Sequence, residues 1–228
     1  MLTGVLVNGA AIIVCGMLGA FFIKGMPERF NEILTKALGL AITFIGISGA
    51  LQNENVILLI VCLVLGSLLG ELLNIEGGMN RLGYLAEKRL GFGEGSFSKG
   101  FVSSSVVFCT GSMAIIGALN SGLMQDHEML FAKSILDGVI AIVFAGTMGV
   151  GVAFSALPVM VYEGVLTLGA ASFRDFLTED MIREISAVGS LLIAAIGLNF
   201  LEVRSIRVAN MIPAIFLPCV YYWILGVF

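Results

Sequence analysis

Charge is what this sequence most conspicuously lacks. Only 12% of its 228 residues are charged, while 58% are hydrophobic. A soluble domain carries about 25% charged and about 45–50% apolar residues. So few polar residues cannot cover a water-soluble globule, and disorder, collagen and coiled coil fail on the same composition. Histidine is nearly absent: His127 stands alone, which removes any metal site or proton relay built on a histidine pair. The four cysteines, Cys15, Cys62, Cys109 and Cys219, fall in four different apolar runs. Zinc and redox spacings are thereby excluded, and the cysteines read as small packing residues. The formal net charge is −4, from 12 basic and 16 acidic residues. No basic block suits nucleic acid, and no Gly-x-x-x-x-Gly-Lys-[Ser/Thr] loop suits an ATP motor.

What is present is apolar length. Mean hydropathy is +1.04, and a membrane helix needs about 20 apolar residues. Eight such runs fit the chain: 2–23, 33–51, 56–73, 101–124, 131–153, 154–173, 185–201 and 208–228. The expected fold is therefore all-α, a polytopic transmembrane helix bundle of about eight spans in one membrane domain, 1–228. The first run has Lys24 and Arg29 after it and no basic residue before it. A cleaved signal peptide has the opposite flank, so this run is expected to be retained with its N-terminus outside.

The Lys and Arg distribution sets orientation. With eight spans, the inner side holds Lys24, Arg29, Lys36, Arg81, Lys88, Arg89, Lys99, Arg204 and Arg207, and the outer side holds Lys133, Arg174 and Arg183. If 154–173 instead re-entered, Arg204 and Arg207 would change sides and most of that bias would vanish. The long connection 74–100 is expected in the cytoplasm. There Leu82, Leu85 and Leu90 suggest an interfacial helix, broken by Gly91, Gly93 and Gly95.

Two stretches resemble two later ones. Asn8-Gly9 and the run to Gly19 match Asp137-Gly138 and the run to Gly149, and Leu40–Ile47 matches Leu191–Leu198 with Gly46 opposite Gly197. An internal duplication would explain this, as in many transporters; recurrence of Gly, Ala and Ile by composition is the alternative. The spacing between the two anchors is longer in the second copy by one membrane crossing, so no simple symmetry follows.

Candidate chemistry lies in two places where helices look broken. Thr110-Gly111-Ser112 sits in the middle of the fourth run, and Ser155-Ala156-Leu157-Pro158 where the fifth meets the sixth. Non-helical backbone at membrane depth needs shelter in protein or a cavity. There it offers N–H groups to anions or carbonyls to cations. Glu163 lies mid-span, where an ionised side chain costs roughly 2.5–3.5 kcal/mol on insertion scales. Asp137 stands four residues from Lys133 and either pairs with it or binds an ion. Asn8, Asn120 and Asn199 read as interhelical amides. Gly66-x-x-x-Gly70, Gly39 with Gly46, and Gly146 to Gly151 read as close-packing faces. The two breaks are expected to shelter each other around one site, with Glu163 facing the same polar cavity.

Three stretches taken together carry a family resemblance: Phe108-Cys-Thr-Gly-Ser-Met-Ala-Ile-Ile-Gly-Ala-Leu119, Lys133-Ser-Ile-Leu-Asp-Gly138 and Gly149-Val-Gly-Val-Ala-Phe-Ser-Ala-Leu-Pro-Val-Met-Val-Tyr-Glu-Gly164. The chain resembles an uncharacterised family of bacterial inner-membrane proteins, the YqgA/YdfK family, over its whole length. The resemblance implies a multi-pass cytoplasmic-membrane protein for which transport is the usual suggestion. It supplies no binding residues, and its members commonly carry an amide where this chain has Glu163.

The expected function is secondary transport of a small solute or ion, coupled to Na⁺ or H⁺. Thr110, Gly111, Ser112, Asp137, Ser155, Pro158 and Glu163 are the candidate binding residues. A channel, or a non-transporting scaffold or sensor, is the alternative. No catalytic residue or cofactor is expected: an intramembrane serine protease lacks its His base, and an aspartyl protease its second Asp. Expected partners are the lipid bilayer, the solute or ion, and further copies of the chain, without nucleic acid.

Overall fold

The computed structural model describes residues 1–22, 28–78, 80–81, 96–110, 112–173, 177–203 and 205–226. Its helices in chain order are α1 (Thr3–Phe22), α2 (Glu28–Ala50), α3 (Val56–Leu73), α4 (Ser96–Cys109), α5 (Ser112–Leu123), α6 (Glu128–Met148), α7 (Gly151–Phe154), α8 (Ala156–Leu168), α9 (Ala170–Phe173), α10 (Glu179–Phe200) and α11 (Leu217–Leu225). A 3-10 helix, Val208–Phe216, precedes α11. The all-helical membrane architecture expected from composition is what the chain adopts, with no strand among the described residues.

Among the described residues, six helical stretches are long and apolar enough to cross a bilayer: Thr3–Phe21, Glu32–Ala50, Val56–Leu73, Glu128–Met148, Gly151–Leu168 and Glu179–Phe200. The pair α4 and α5 is bent by 62° and makes a seventh if it counts as one span. The eighth expected run, 208–228, is a shorter apolar helix over Val208–Ile224. Its nine 3-10 residues rise about 2.0 Å each rather than about 1.5 Å. With α11 the stretch reaches about 30 Å, the thickness of a hydrocarbon core. Pro213 lies inside the 3-10 segment, where its missing N–H deprives an α-helix of one bond.

Local chemistry sets the helix ends. Asn55 caps α3 by accepting the Leu58 N–H at 3.0 Å, and Asn74 ends it in the left-handed region at φ 49°. Thr178 caps α10 through the Met181 N–H, with Glu179 and Asp180 in the first turn, where the helix dipole favours acids.

The reversal between the fifth and sixth runs differs from the expectation. The runs were expected to meet at 153/154, with a turn at Ser155–Pro158. The chain instead turns at Gly149, whose φ of 76° and ψ of −163° belong to a region open essentially to glycine alone. Around Ser155 the helix only tightens: the Ser155 N–H reaches the Val152 carbonyl at 3.1 Å, and the Val159 N–H reaches the Ser155 carbonyl at 3.2 Å. Pro158 sits in the first turn of α8, where a missing N–H is tolerated. The other expected break is present, since Thr110 leaves helical geometry after α4. Gly111 lies outside the described residues, as do Lys24, Arg174, Arg204 and the 82–95 stretch that carries the expected interfacial helix.

Two compact units divide the chain. The first comprises Met1–Asn31, Met79–Cys109 and Met113–Arg174, the second Glu32–Gly78, Thr110–Ser112 and Asp175–Phe228. In the first, Gly4 faces Leu130 and Gly19 faces the Ile142 carbonyl, so α1 and α6 run in the same direction. Gly9 faces Met160 and Gly16 faces Ala153, so α7 and α8 run back along α1. In the second unit α2 and α10 are antiparallel. A Cβ on Gly46 would stand 2.3 Å from the Ala194 nitrogen, and one on Gly197 would stand 2.5 Å from the Thr43 nitrogen. Gly66 and Gly70 let the 3-10 helix approach α3: a Cβ on Gly70 would lie 1.8 Å from the Asn210 carbonyl oxygen.

Candidate ion site

Three helices of the first unit bring charged or amide side chains together in its interior. From α1 comes Asn8, from α6 come Lys133 and Asp137, and from α8 comes Glu163. Asn8 and Glu163 are wholly buried; Lys133 and Asp137 are 5% and 6% exposed. The parallel course of α1 and α6 sets Asn8 beside Asp137, and the antiparallel return of α8 brings Glu163 to the same level.

The Asn8 side-chain N–H₂ donates to both acids, to Asp137 Oδ2 at 3.1 Å and to Glu163 Oε1 at 2.9 Å. Lys133 Nζ donates to Asp137 Oδ2 along its own helix and lies 3.6 Å from Glu163 Oε1. Two acceptors in this group have no donor among the described residues: Asn8 Oδ1 and Glu163 Oε2. Buried polar atoms are nearly always paired, so both are vacant bonding positions. The charge count is also unequal, since one ammonium faces two carboxylates. In a buried site an excess charge costs several kcal/mol. A proton or a cation on the carboxylates removes it.

The expected site residues are thus only partly assembled. Asp137 and Glu163 meet, as an ion site requires, and the helical pairing of Lys133 with Asp137 is present as well. Ser155 is buried, but its hydroxyl donates to the Val152 carbonyl at 2.6 Å. Gly151–Leu168 runs as one helical stretch through Ser155, so no half-helix begins at Pro158. Thr110 belongs to the second unit, where it packs on Gly189 and its buried hydroxyl has no partner among the described residues. The side chain of Ser112 lies outside the described residues.

Sequence reading missed the joint role of Asn8, which looked like an ordinary interhelical amide. Its one signal was its alignment with Asp137 in the internal match. Glu184 was also missed, since it looked like part of a charged link. It is 1% exposed, and its Oε1 accepts the backbone N–H groups of Glu54 at 3.0 Å and Asn55 at 3.1 Å. That geometry ties α10 to the start of α3. Asn199 likewise clamps its own connection, exchanging two hydrogen bonds with the Ile206 backbone. Glu71 gathers Arg207 at 2.5 Å and the buried Asn210 at 2.7 Å.

No solved structure matches the chain. Two curated proteins do so over nearly their whole length. The uncharacterized membrane protein YdfK of Bacillus subtilis (strain 168) is 31% identical, covering 99% of this chain and 97% of the relative. The uncharacterized protein YqgA of Escherichia coli (strain K12) is 33% identical, covering 95% of this chain and 94% of the relative. The model for a protein of unknown function (DUF554) matches residues 3–223. The chain therefore belongs to the DUF554 family, a family of uncharacterised membrane proteins.

Proposed function

We propose that the protein is a secondary transporter of the bacterial cytoplasmic membrane, moving a small solute or ion with H⁺ or Na⁺ as the coupling ion. The observation that carries this reading is the buried Asn8–Lys133–Asp137–Glu163 group with its two unpartnered acceptors. Ionisable residues inside membrane spans are costly, and they commonly mark ion and proton pathways. A scaffold gains little from such a group, because apolar residues of similar volume are often at least as stabilising. Orientation with both termini outside is part of the same reading. So is an ancient duplication, favoured by the reciprocal packing of Gly46 against Ala194 and Gly197 against Thr43, each three residues before the other glycine. The reading assigns no catalytic step and no cofactor.

A flux experiment that assumes no substrate tests it. Proteoliposomes are loaded with a mixed pool of amino acids, organic acids and inorganic ions, and release is followed by mass spectrometry under imposed pH or Na⁺ gradients. Saturable, gradient-driven release of one component is expected from the wild type. Asp137→Asn, checked for a monodisperse elution profile, should lose it. Release no different from protein-free liposomes overturns the transport reading; wild-type flux in Asp137→Asn removes Asp137 from the site.

A further inference from the structure

The charge count at the buried group says more than that an ion is involved. With both carboxylates ionised and Lys133 protonated the group carries one negative charge. One proton or one monovalent cation makes it neutral, whereas both together leave it positive and neither leaves it negative. Each of the unbalanced states buries an uncompensated charge at membrane depth, at a cost of several kcal/mol.

We propose that this group is an exchange site holding either one proton or one alkali-metal cation, the two excluding each other at Glu163. This deepens the transport reading and rests on it only for the movement of the ion, not for its binding. The vacant oxygens Glu163 Oε2 and Asn8 Oδ1 are the cation's side-chain ligands. Each is bonded to the same carbon as an atom already in the group, so both flank the Asn8–Glu163 hydrogen bond of 2.9 Å. Hard oxygen donors suit an alkali ion. A divalent ion would leave a net positive charge, and the full burial of Asn8 and Glu163 leaves no opening for an organic cation. Thr167, one turn beyond Glu163 on α8, is also wholly buried with an unpartnered hydroxyl.

The balance is simple. The protonated Glu163 carboxyl takes up the cation and releases its proton, leaving a carboxylate–cation pair. The charged groups facing Glu163 are Lys133 and Asp137 on α6, with the neutral amide of Asn8 on α1. Two thiols also lie near: Cys109, at the end of α4, is within electrostatic reach of Lys133, Asp137 and Glu163, and Cys15 of α1 packs on Gly138 beside Asp137. The remaining helices packed on α8, namely α5, α7 and α9, carry no titratable residue.

Binding to the purified protein in weakly buffered detergent solution tests the proposal without any flux. Na⁺, Li⁺ and K⁺ chlorides are added while released protons are followed with a pH dye and heats by calorimetry. About one proton should leave per cation bound, and the apparent affinity should weaken about tenfold for each pH unit below the site's proton affinity. Glu163→Gln should abolish both signals, and Glu202→Gln, at an exposed acid, should keep them. If Glu163→Gln proves poorly folded, Asn8→Ala, which removes one of the two oxygens without changing the charge count, should weaken cation binding. Cation binding without proton release, or no binding of any of the three ions, overturns the exchange site. Gradient-driven flux of another solute would then leave the transport reading standing.

Discussion

Lys133 is the residue on which the buried group balances. Among the described residues it is the one cation facing Asp137 and Glu163, and it is 5% exposed. Replacing it with methionine leaves two buried acids against no positive charge, whereas Asp137→Asn leaves Lys133 and Glu163 as a neutral pair 3.6 Å apart. Removing one partner of a buried pair typically costs about 3–5 kcal/mol. Lys133→Met should reach that range at neutral pH and recover as acidification protonates the two carboxylates. Asp137→Asn should cost much less, and the double variant should be more stable than Lys133→Met alone. Thermal unfolding in detergent, followed by circular dichroism, orders the three; Asp137→Asn proving the least stable would show that charge balance does not govern the group. Sequence revealed half of this arrangement. Lys133 and Asp137 are four apart on one helix, a spacing that local periodicity makes visible. Asn8 lies 129 and 155 residues from its two acceptors, and only the packing of three helices brings them together.

At the scale of elements, apolar length located six of the eight expected spans as single long helices, while the fourth is a bent pair, the eighth a shorter helix, and proline misplaced a turn. Pro158 looked like a helix breaker, yet in the first turn of α8 it removes no bond the helix needs. Gly149 looked like one of several packing glycines, although its backbone geometry makes the reversal. Which glycine turns and which packs depends on φ, and composition carries no record of it. The fourth span was readable because Thr110-Gly111 interrupts an otherwise continuous run. The α3 glycines were readable too, as a small-residue face, but their partner was not. Instead of another α-helix they receive a 3-10 segment, whose backbone reaches Gly70 through the Asn210 carbonyl and Gly66 through Ala214. Both contacts are with backbone, which cannot swing aside as a flexible side chain can. Gly70→Ala should therefore push the two elements apart and lower stability by about 1–3 kcal/mol, as overpacking does. Gly164→Ala, where a Cβ meets nothing within 4 Å, should leave stability unchanged or slightly raised. Equal melting temperatures for the two variants would contradict the close approach of α3 to the 3-10 helix.

Over the whole molecule, helix direction and charge distribution bear on the same question, the side of the membrane on which each connection lies. Within the first unit α1 and α6 share a direction, and Gly151–Leu168 returns along α1 from Ala153 beside Gly16 to Met160 beside Gly9. The return continues to Thr167, whose carbonyl lies against Gly122 of α5. That same helix bonds through Ser121 to the Met1 carbonyl and to His127 at the start of α6. The sixth run therefore covers the length of its neighbours and ends at the N-terminal level, as a full crossing does and a re-entrant loop does not. With that crossing counted, the positive-inside tendency predicts 76–99 in the cytoplasm and the N-terminus, the α5–α6 connection and the C-terminus outside. Single cysteines introduced into a chain freed of its four native ones test this in intact cells. Asp126→Cys, between α5 and α6, should react with a membrane-impermeant maleimide. Lys88→Cys should react only after permeabilisation. Labelling of Lys88→Cys from outside would reverse the orientation, and labelling of both positions from outside would mean that the span between them does not cross.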